Sequence, residues 1–267
     1  MGATVGTVNT DRLTMDYCKF GSGEQTFVIL PGIAVQSVMP LADAIAGQYR
    51  LLTGDYTVYV FDRRKDMPDT YSVHEMAHDT AEAMRALGLE GADIFGASQG
   101  GMMAMIIAAD DPELTGRIIV GSSEAHVSDD DFRFFDKCID LAKDGSCEEF
   151  YLYFGEAMYP AEVFEAVRNQ LKAAAATVTE EELRRFIIMT EGMRGLDLTD
   201  ELSRIKCPVL VIGSKADKVF GADASVQIHD GLVNSRDREL YMYDGYGHAV
   251  YDLAPDYQER ILDFLKK

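Results

Sequence analysis

The chain has 267 residues and carries 45 Asp and Glu against 25 Lys and Arg, a formal charge of −20. So acidic a chain repels phosphate backbones and anionic headgroups, which excludes nucleic acid and membrane surfaces as expected partners. With 47% hydrophobic residues it has a folding composition, and its length suits one large domain with a sizeable core.

Residues 15–20 alternate weakly between polar and apolar and stop at Gly21-Ser-Gly23, which predicts a strand. Residues 26–30 are a short apolar run halted by Pro31-Gly32, and residues 57–61 are another, followed by the charged stretch 62–66. Ser72 reads as a helix cap, after which Val73, Met76, Ala77, Ala81, Met84 and Leu87 recur at helical spacing up to Gly88. A strand at 92–95, a helix at 99–109 and a strand at 117–120 complete the first half. Continuous apolar strands joined by helices imply a parallel sheet covered on both faces, an α/β fold. From 126 to 203 only helix-period segments occur, and strand–helix alternation then resumes at 207–212, 222–232, 239–243 and from Asp256. The helical stretch is therefore expected to be an insertion between two parts of one core, 1–125 and 204–267.

Gly96-Ala-Ser98-Gln-Gly100 falls between a predicted strand and a predicted helix and fits G-x-S-x-G. In that arrangement a tight turn lifts a serine Oγ above the sheet. A side chain at position 96 or 100 would strike the neighbouring strand or helix. The Gln99 backbone N–H, at the helix start, could donate to a developing oxyanion. An elbow serine needs a base, and the base needs an orienting carboxylate. Asp217 follows one predicted strand and His248 another, each in the loop beyond a strand C-terminus, the edge where open α/β sheets assemble sites.

The chain order Ser98, Asp217, His248, together with Val28-Ile-Leu-Pro-Gly32, Phe61-Asp-Arg63 and Tyr246-Gly-His248, resembles the α/β-hydrolase superfamily over nearly the whole chain. The resemblance implies a mostly parallel central sheet with helices on both faces and an all-helical cap at 126–203. It implies Ser98 as nucleophile, His248 as base and Asp217 as its orienter, with Glu124 as the alternative acid. It also implies the backbone N–H of Ile33 as a second oxyanion donor beside that of Gln99. No metal or organic cofactor is required. Pro31-Gly32 departs from the His-Gly of many members, and Arg64-Lys65-Asp66 stands where many have a glycine-rich turn.

His74-Glu-Met-Ala-His78 matches the H-E-x-x-H zinc signature on a predicted helix. That helix turns its Val73, Met76, Ala77 and Ala81 face to the sheet, and the histidines flank it among Glu75, Asp79 and Glu82. A solvated face accounts for them. Asp62 and Arg63 lie at a strand end near the site edge, where a structural salt bridge is expected in preference to a substrate contact.

The chemistry expected is acyl transfer from a small-molecule substrate, a small or medium carboxylic ester that is uncharged in keeping with the acidic cap. Residues 126–203 hold 18 Asp and Glu against 8 Lys and Arg, which would disfavour anionic substrates. Met102, Tyr153 and Met158 are candidate pocket residues, and Arg194 is the cap cation to consider for a substrate carboxylate. Carbon–carbon bond hydrolysis and a slow-turnover ligand receptor are the alternatives on the same fold. The first residues lack the layout of a signal peptide, and Cys18, Cys138, Cys147 and Cys207 lack CxxC or metal spacing. Both features point to a cytoplasmic protein with reduced thiols.

Overall fold

In the computed structural model, which describes residues 2–267, eight strands form a single sheet. They are β1 (Thr4–Asn9), β2 (Thr14–Gly21), β3 (Gln25–Leu30), β4 (Tyr56–Arg64), β5 (Ala92–Ala97), β6 (Thr115–Gly121), β7 (Val209–Ser214) and β8 (Arg238–Tyr243), in the order β1-β2-β4-β3-β5-β6-β7-β8. β3 to β8 pair in parallel, while β2 runs antiparallel to β4 and to the edge strand β1.

The period of two in a strand explains why both faces are covered. Val28 and Leu30 enter one core and Phe27 and Ile29 the other; Ile118 and Val120 are likewise opposed by Ile119. The helices in chain order are α1 (Ala42–Gln48), α2 (Val73–Ala86), α3 (Gln99–Asp110), α4 (Asp129–Lys143), α5 (Cys147–Met158), α6 (Ala161–Ala175), α7 (Glu180–Glu191), α8 (Thr199–Arg204), α9 (Ala222–Gly231), α10 (Val250–Leu253) and α11 (Tyr257–Leu265). α2, α3, α8 and α9 cover one face, and α1, α10 and α11 the other. Ser72 caps α2 as the sequence predicts, and closes a capping box with Glu75.

Three features depart from the sequence reading. β1 is an extra strand, mostly exposed, whose Thr-Val-Gly-Thr-Val-Asn carries no apolar run to announce it. β4 continues through the charged residues to Arg64, because its far end pairs with Met15 of β2. Asp79 lies in the interior and not on a solvated face. It is 4% exposed and accepts hydrogen bonds from Tyr71 Oη (2.8 Å) and Arg64 Nη1 (3.1 Å).

Between β6 and β7 the described residues form no strand and carry α4 to α8. The two ends of this stretch meet where His126 and Asp197 form an isolated antiparallel bridge. The Val127 N–H donates to Leu196 O (2.8 Å) and the Leu198 N–H to Ala125 O (2.7 Å). α8 ends one residue beyond the expected limit of 203, and its Leu202 packs into the core under the sheet. Capping boxes at Ser128 and Thr179 start α4 and α7, and Phe150, Leu183 and Phe186 give these helices a small core of their own.

The approach of α3 to the sheet is set by glycine. A Cβ on Gly100 would lie 1.9 Å from the Leu30 carbonyl oxygen, and one on Gly96 would lie 2.2 Å from the Gly100 carbonyl oxygen. Neither neighbour is a side chain that can swing aside. Gly100→Ala should therefore lower stability by about 3 kcal/mol or more in urea unfolding. Gly54→Ala, where nothing lies within 4 Å, should change stability by less than about 0.5 kcal/mol. Equal midpoints for the two variants would contradict this account of the helix–strand contact.

Candidate active site

The loops after β3, β5, β6, β7 and β8 open at one edge of the sheet, the C-terminal ends of its parallel strands. Ser98 is the hinge between β5 and α3. Its φ of 53° and ψ of −121° are unfavourable for a residue with a Cβ, a strain on the order of 1–3 kcal/mol. Backbone bonds hold it there. The Ser98 N–H donates to Gly121 O (2.8 Å), and Ser98 O accepts from Gly101 N (2.9 Å) and Ser123 Oγ (2.8 Å). Among the described residues, the other non-glycine positions with positive φ, Ser122 and Tyr246, lie in loops at this same edge.

His248 is 1% exposed. Its Nδ1 lies 2.8 Å from Asp217 Oδ2, while Asp217 Oδ1 accepts from the N–H groups of Val219 (2.8 Å) and Phe220 (3.2 Å). The carboxylate is thus aimed by its own turn, and the ring is packed edge-on by Phe220 and Tyr251. With Nδ1 engaged by the acid, Nε2 is the nitrogen left for chemistry. Among the described residues no hydrogen bond joins Ser98 to His248; such bonds are often long before a substrate is seated.

Gly32 lies against Ser98. A Cβ there would be 3.1 Å from Ser98 Cβ and 3.7 Å from its Oγ, which brings the Pro31–Ile33 segment beside the serine. Gln99 is the first residue of α3, where backbone N–H groups lack partners within the helix. Both expected oxyanion donors therefore belong to segments that adjoin Ser98.

Glu124, three residues beyond β6, is 5% exposed, and its Oε2 has no hydrogen-bond partner. Burial, and then the negative charges of Asp131 and Asp217, push its carboxyl up to about 8. It does not take the acid's place beside His248, which Asp217 occupies.

The candidate pocket residues separate. The Met158 carbonyl accepts from the Ala249 N–H (3.1 Å), which brings the end of α5 beside the His248 loop. Met102 is fully buried in the core between α3 and the sheet, and Tyr153 stacks on Phe134 within the helical block (5.3 Å). Arg194 is committed elsewhere. Its guanidinium bonds Asp136 (2.7 Å) and Glu191 (2.8 Å) and lies over the Phe132 ring at 3.9 Å, so the expectation that it waits for a substrate carboxylate is corrected.

The H-E-x-x-H histidines find carboxylates rather than each other. His78 Nε2 is 3.0 Å from Asp110, and His74 Nε2 is 3.5 Å from Glu201. Among the described residues no group of three or more His, Cys, Asp or Glu side chains converges where a metal ion could sit. A surface cavity of about 600 Å³ lies at the opposite edge, around Glu24, Asp93, Arg117 and Arg236 at the N-terminal ends of the parallel strands.

Arg63 lies near the site edge as expected, but with other partners than the salt bridge the sequence suggests. It forms no salt bridge with Asp62, whose carboxylate accepts Arg63's backbone N–H (2.7 Å). The guanidinium turns inward, 4% exposed, and Nη2 donates to Pro31 O (2.9 Å) and Gln99 Oε1 (3.0 Å). Only the tertiary partners, one backbone carbonyl and one side-chain amide, reveal this. A charged run read as a strand exit gives no sign of them.

The model of the family described as the alpha/beta hydrolase fold matches residues 25–255. A protein named "Putative carbamate hydrolase RutD" from Rhizobium rhizogenes is 28% identical over 232 residues, which are 83% of this chain and 87% of the relative. Among solved structures, the alpha/beta hydrolase enzyme MGS-M2 from a Medee basin deep-sea metagenome library superposes with a TM-score of 0.86 at 21% identity, covering 98% of each chain. The enol-lactonase from Burkholderia xenovorans LB400 does so with a TM-score of 0.83 at 16% identity, covering 98% of this chain and 100% of the other. The chain belongs to the alpha/beta hydrolase fold family.

Proposed function

We propose that this hydrolase cleaves a small or medium carboxylic ester through a covalent acyl-enzyme, with Ser98 as nucleophile, His248 as base and Asp217 as orienter. The observation that supports it most is the meeting, at one sheet edge, of a serine held at positive φ with a buried His248–Asp217 pair. A strained serine is retained where its position matters, and a buried histidine bonded to a carboxylate through Nδ1 is oriented to accept a proton at Nε2.

In this reading Ser98 Oγ forms a bond to the carbonyl carbon while its proton passes to His248 Nε2. The carbonyl electron pair moves to oxygen, where the N–H groups of Ile33 and Gln99 receive it. Collapse of the adduct breaks the ester C–O bond, and His248 protonates the departing alcohol. Water then gives a proton to His248 and its oxygen to the acyl carbon. The acid leaves, and the proton returns to Ser98. Each oxyanion donor supplies about 3–4 kcal/mol of barrier lowering. The helical block serves as the cap over this edge, and the Met158 contact with the His248 loop supports that placement. The same attack would serve a carbamate carbonyl, the group named for the 28% identical relative.

Labelling with a fluorophosphonate probe tests the nucleophile. Wild type should be modified at Ser98, and Ser98→Ala should lose both the label and hydrolysis of p-nitrophenyl esters. An unlabelled wild type, or a label that survives the substitution, refutes the reading. A labelled enzyme that is inactive on esters of every chain length but active on a carbamate would move the substrate class without moving the mechanism.

Asp217 and Glu124 are separated by charge state. A carboxyl raised to about 8 is neutral at pH 7 and offers no anion to an imidazolium. Asp217→Asn should reduce kcat by roughly 10³- to 10⁴-fold, whereas Glu124→Gln should leave kcat at pH 7 close to wild type.

Stability carries a second signature. Above the unfolded-state glutamate value of ~4.3 the unfolded chain has lost a proton that folded Glu124 keeps, so stability falls as pH rises through this window. The penalty is complete above about 8, where the folded carboxyl ionises too. Glu124→Gln removes it. The variant's advantage in urea unfolding should be on the order of 2 kcal/mol greater at pH 9 than at pH 5. An advantage independent of pH would refute the buried neutral acid.

A further inference from the structure

One buried guanidinium touches both segments that flank Ser98. Arg63 leaves β4 beneath the edge and reaches the Pro31 carbonyl on one side and the Gln99 side chain on the other, through the same Nη2 (2.9 and 3.0 Å). Pro31 leads directly into Gly32 and Ile33, and Gln99 is the first residue of α3. Gln99 passes the contact on, since its Nε2 donates to the Met189 carbonyl (2.8 Å) in the last turn of α7. That carbonyl lies where a helix has no further N–H of its own to offer. Gln99 is fully buried, so this is an interior bridge from β4 through the serine helix to the helical block.

The charge of Arg63 is as unusual as its bonds. Its Nε has no acceptor, and no carboxylate is bonded to the guanidinium. The adjacent Asp62 accepts Arg63's backbone N–H and lies 3.9 Å from Arg185. Arginine stays protonated in proteins, so a full positive charge sits out of water against two polar groups and without a bonded counter-ion. Such burial is costly unless the charge has work to do. The two segments it bonds carry the N–H groups that would receive the negative charge developing on an oxygen attacked by Ser98.

We propose that Arg63 is the positioning residue of the oxyanion hole: its two hydrogen bonds set the spacing of the Ile33 and Gln99 donors, and its unpaired charge raises the potential behind them. This rests on the reading of Ser98 as nucleophile. It assigns to the charged end of β4 a function in rate, not in substrate binding. Lysine is no equivalent, because an ammonium on a flexible stem lacks the planar fork that fixes the two acceptors relative to each other.

The test measures saturation kinetics of phosphonylation by an alkyl fluorophosphonate for wild type, Arg63→Met, Arg63→Lys and Ser98→Ala. In the reaction Ser98 Oγ bonds to phosphorus, the P–F bond breaks, fluoride leaves and His248 takes the serine proton. The phosphoryl oxygen gains negative charge on the way, so the maximal rate reports the hole without any assumption about the natural substrate. Arg63→Met should lower the maximal rate roughly 100-fold while the concentration for half-saturation stays within about threefold. Arg63→Lys should recover part of that loss. A merely structural role would lower the reactive fraction and the melting temperature but leave the rate of the folded fraction unchanged.

A folded Arg63→Met with a maximal rate within threefold of wild type overturns the proposal. If Arg63→Met does not fold, Gln99→Met carries the measurement, since it removes one of the two acceptors and keeps the backbone N–H. It should slow labelling at least tenfold, and an unchanged rate refutes the bridge. Absence of label in wild type, or its persistence in Ser98→Ala, refutes the nucleophile instead, so the two failures are distinct.

Discussion

The contact on which the rest depends is the approach of α3 to the end of β3. Only a residue without a Cβ lets the Gly100 backbone come so near the Leu30 carbonyl, and Gly96 allows the chain to fold back onto that helix. With both ends of the turn pinned, Ser98 has to accept a positive φ, and its side chain is carried above the sheet edge. The same approach brings Gly32 against Ser98. Strain at the serine and proximity of the β3 loop are thus two consequences of one packing constraint. The hydrogen bonds from Ser98 to Gly121 and from Ser123 to Ser98 offset the strain by tying the turn to the neighbouring strand.

The second half of the chain delivers its residues to this edge by another route. Parallel strands all end on the same side, so loops separated by many residues in sequence converge without any direct signal between them. Asp217 is fixed by the N–H groups of its own turn, and His248 follows from Asp217. The helical block is anchored at its neck by the His126–Asp197 bridge and reaches the edge through backbone carbonyls, Met158 toward the His248 loop and Met189 toward Gln99. Side chains on its surface can vary without disturbing these attachments.

The legibility of the chain follows this division. Apolar strands and helix-period segments were readable because burial imposes a period on them, and Ser98, Asp217 and His248 were readable because each stands at a strand end in a fixed order. β1 was hidden by its exposure: an edge strand needs no apolar run. Arg63, Asp79 and Arg194 were misread for a different reason. A charged residue within a charged run is assigned to solvent by any local rule, yet Arg63 is buried by a carbonyl 32 residues away and Asp79 by Tyr71 and Arg64. Arg194 shows the converse case, a basic residue that suggests an anion site but already has two carboxylates and an aromatic ring. Tertiary hydrogen bonds, whether to backbone or to side chains, leave no period in the sequence.

Net charge gains meaning from these exceptions. A chain with 45 acidic and 25 basic side chains has carboxylates to spare for pairing, and most of its ion pairs are exposed and contribute little to stability. Among the described residues Arg63 is the only lysine or arginine that is buried, and no carboxylate is bonded to its guanidinium. The acids in the interior, Asp79, Asp93 and Glu124, are not hydrogen-bonded to it, and burial holds Glu124 in its neutral form at neutral pH. An acidic protein that bonds no carboxylate to the buried Arg63, leaving Asp62 as its neighbouring charge, and holds Glu124 neutral carries less negative charge in its interior than its composition implies. Most of the acidity lies at the surface, where solvent and salt screen it; at the Ser98 edge the buried groups, the Asp217 carboxylate among them, are screened less.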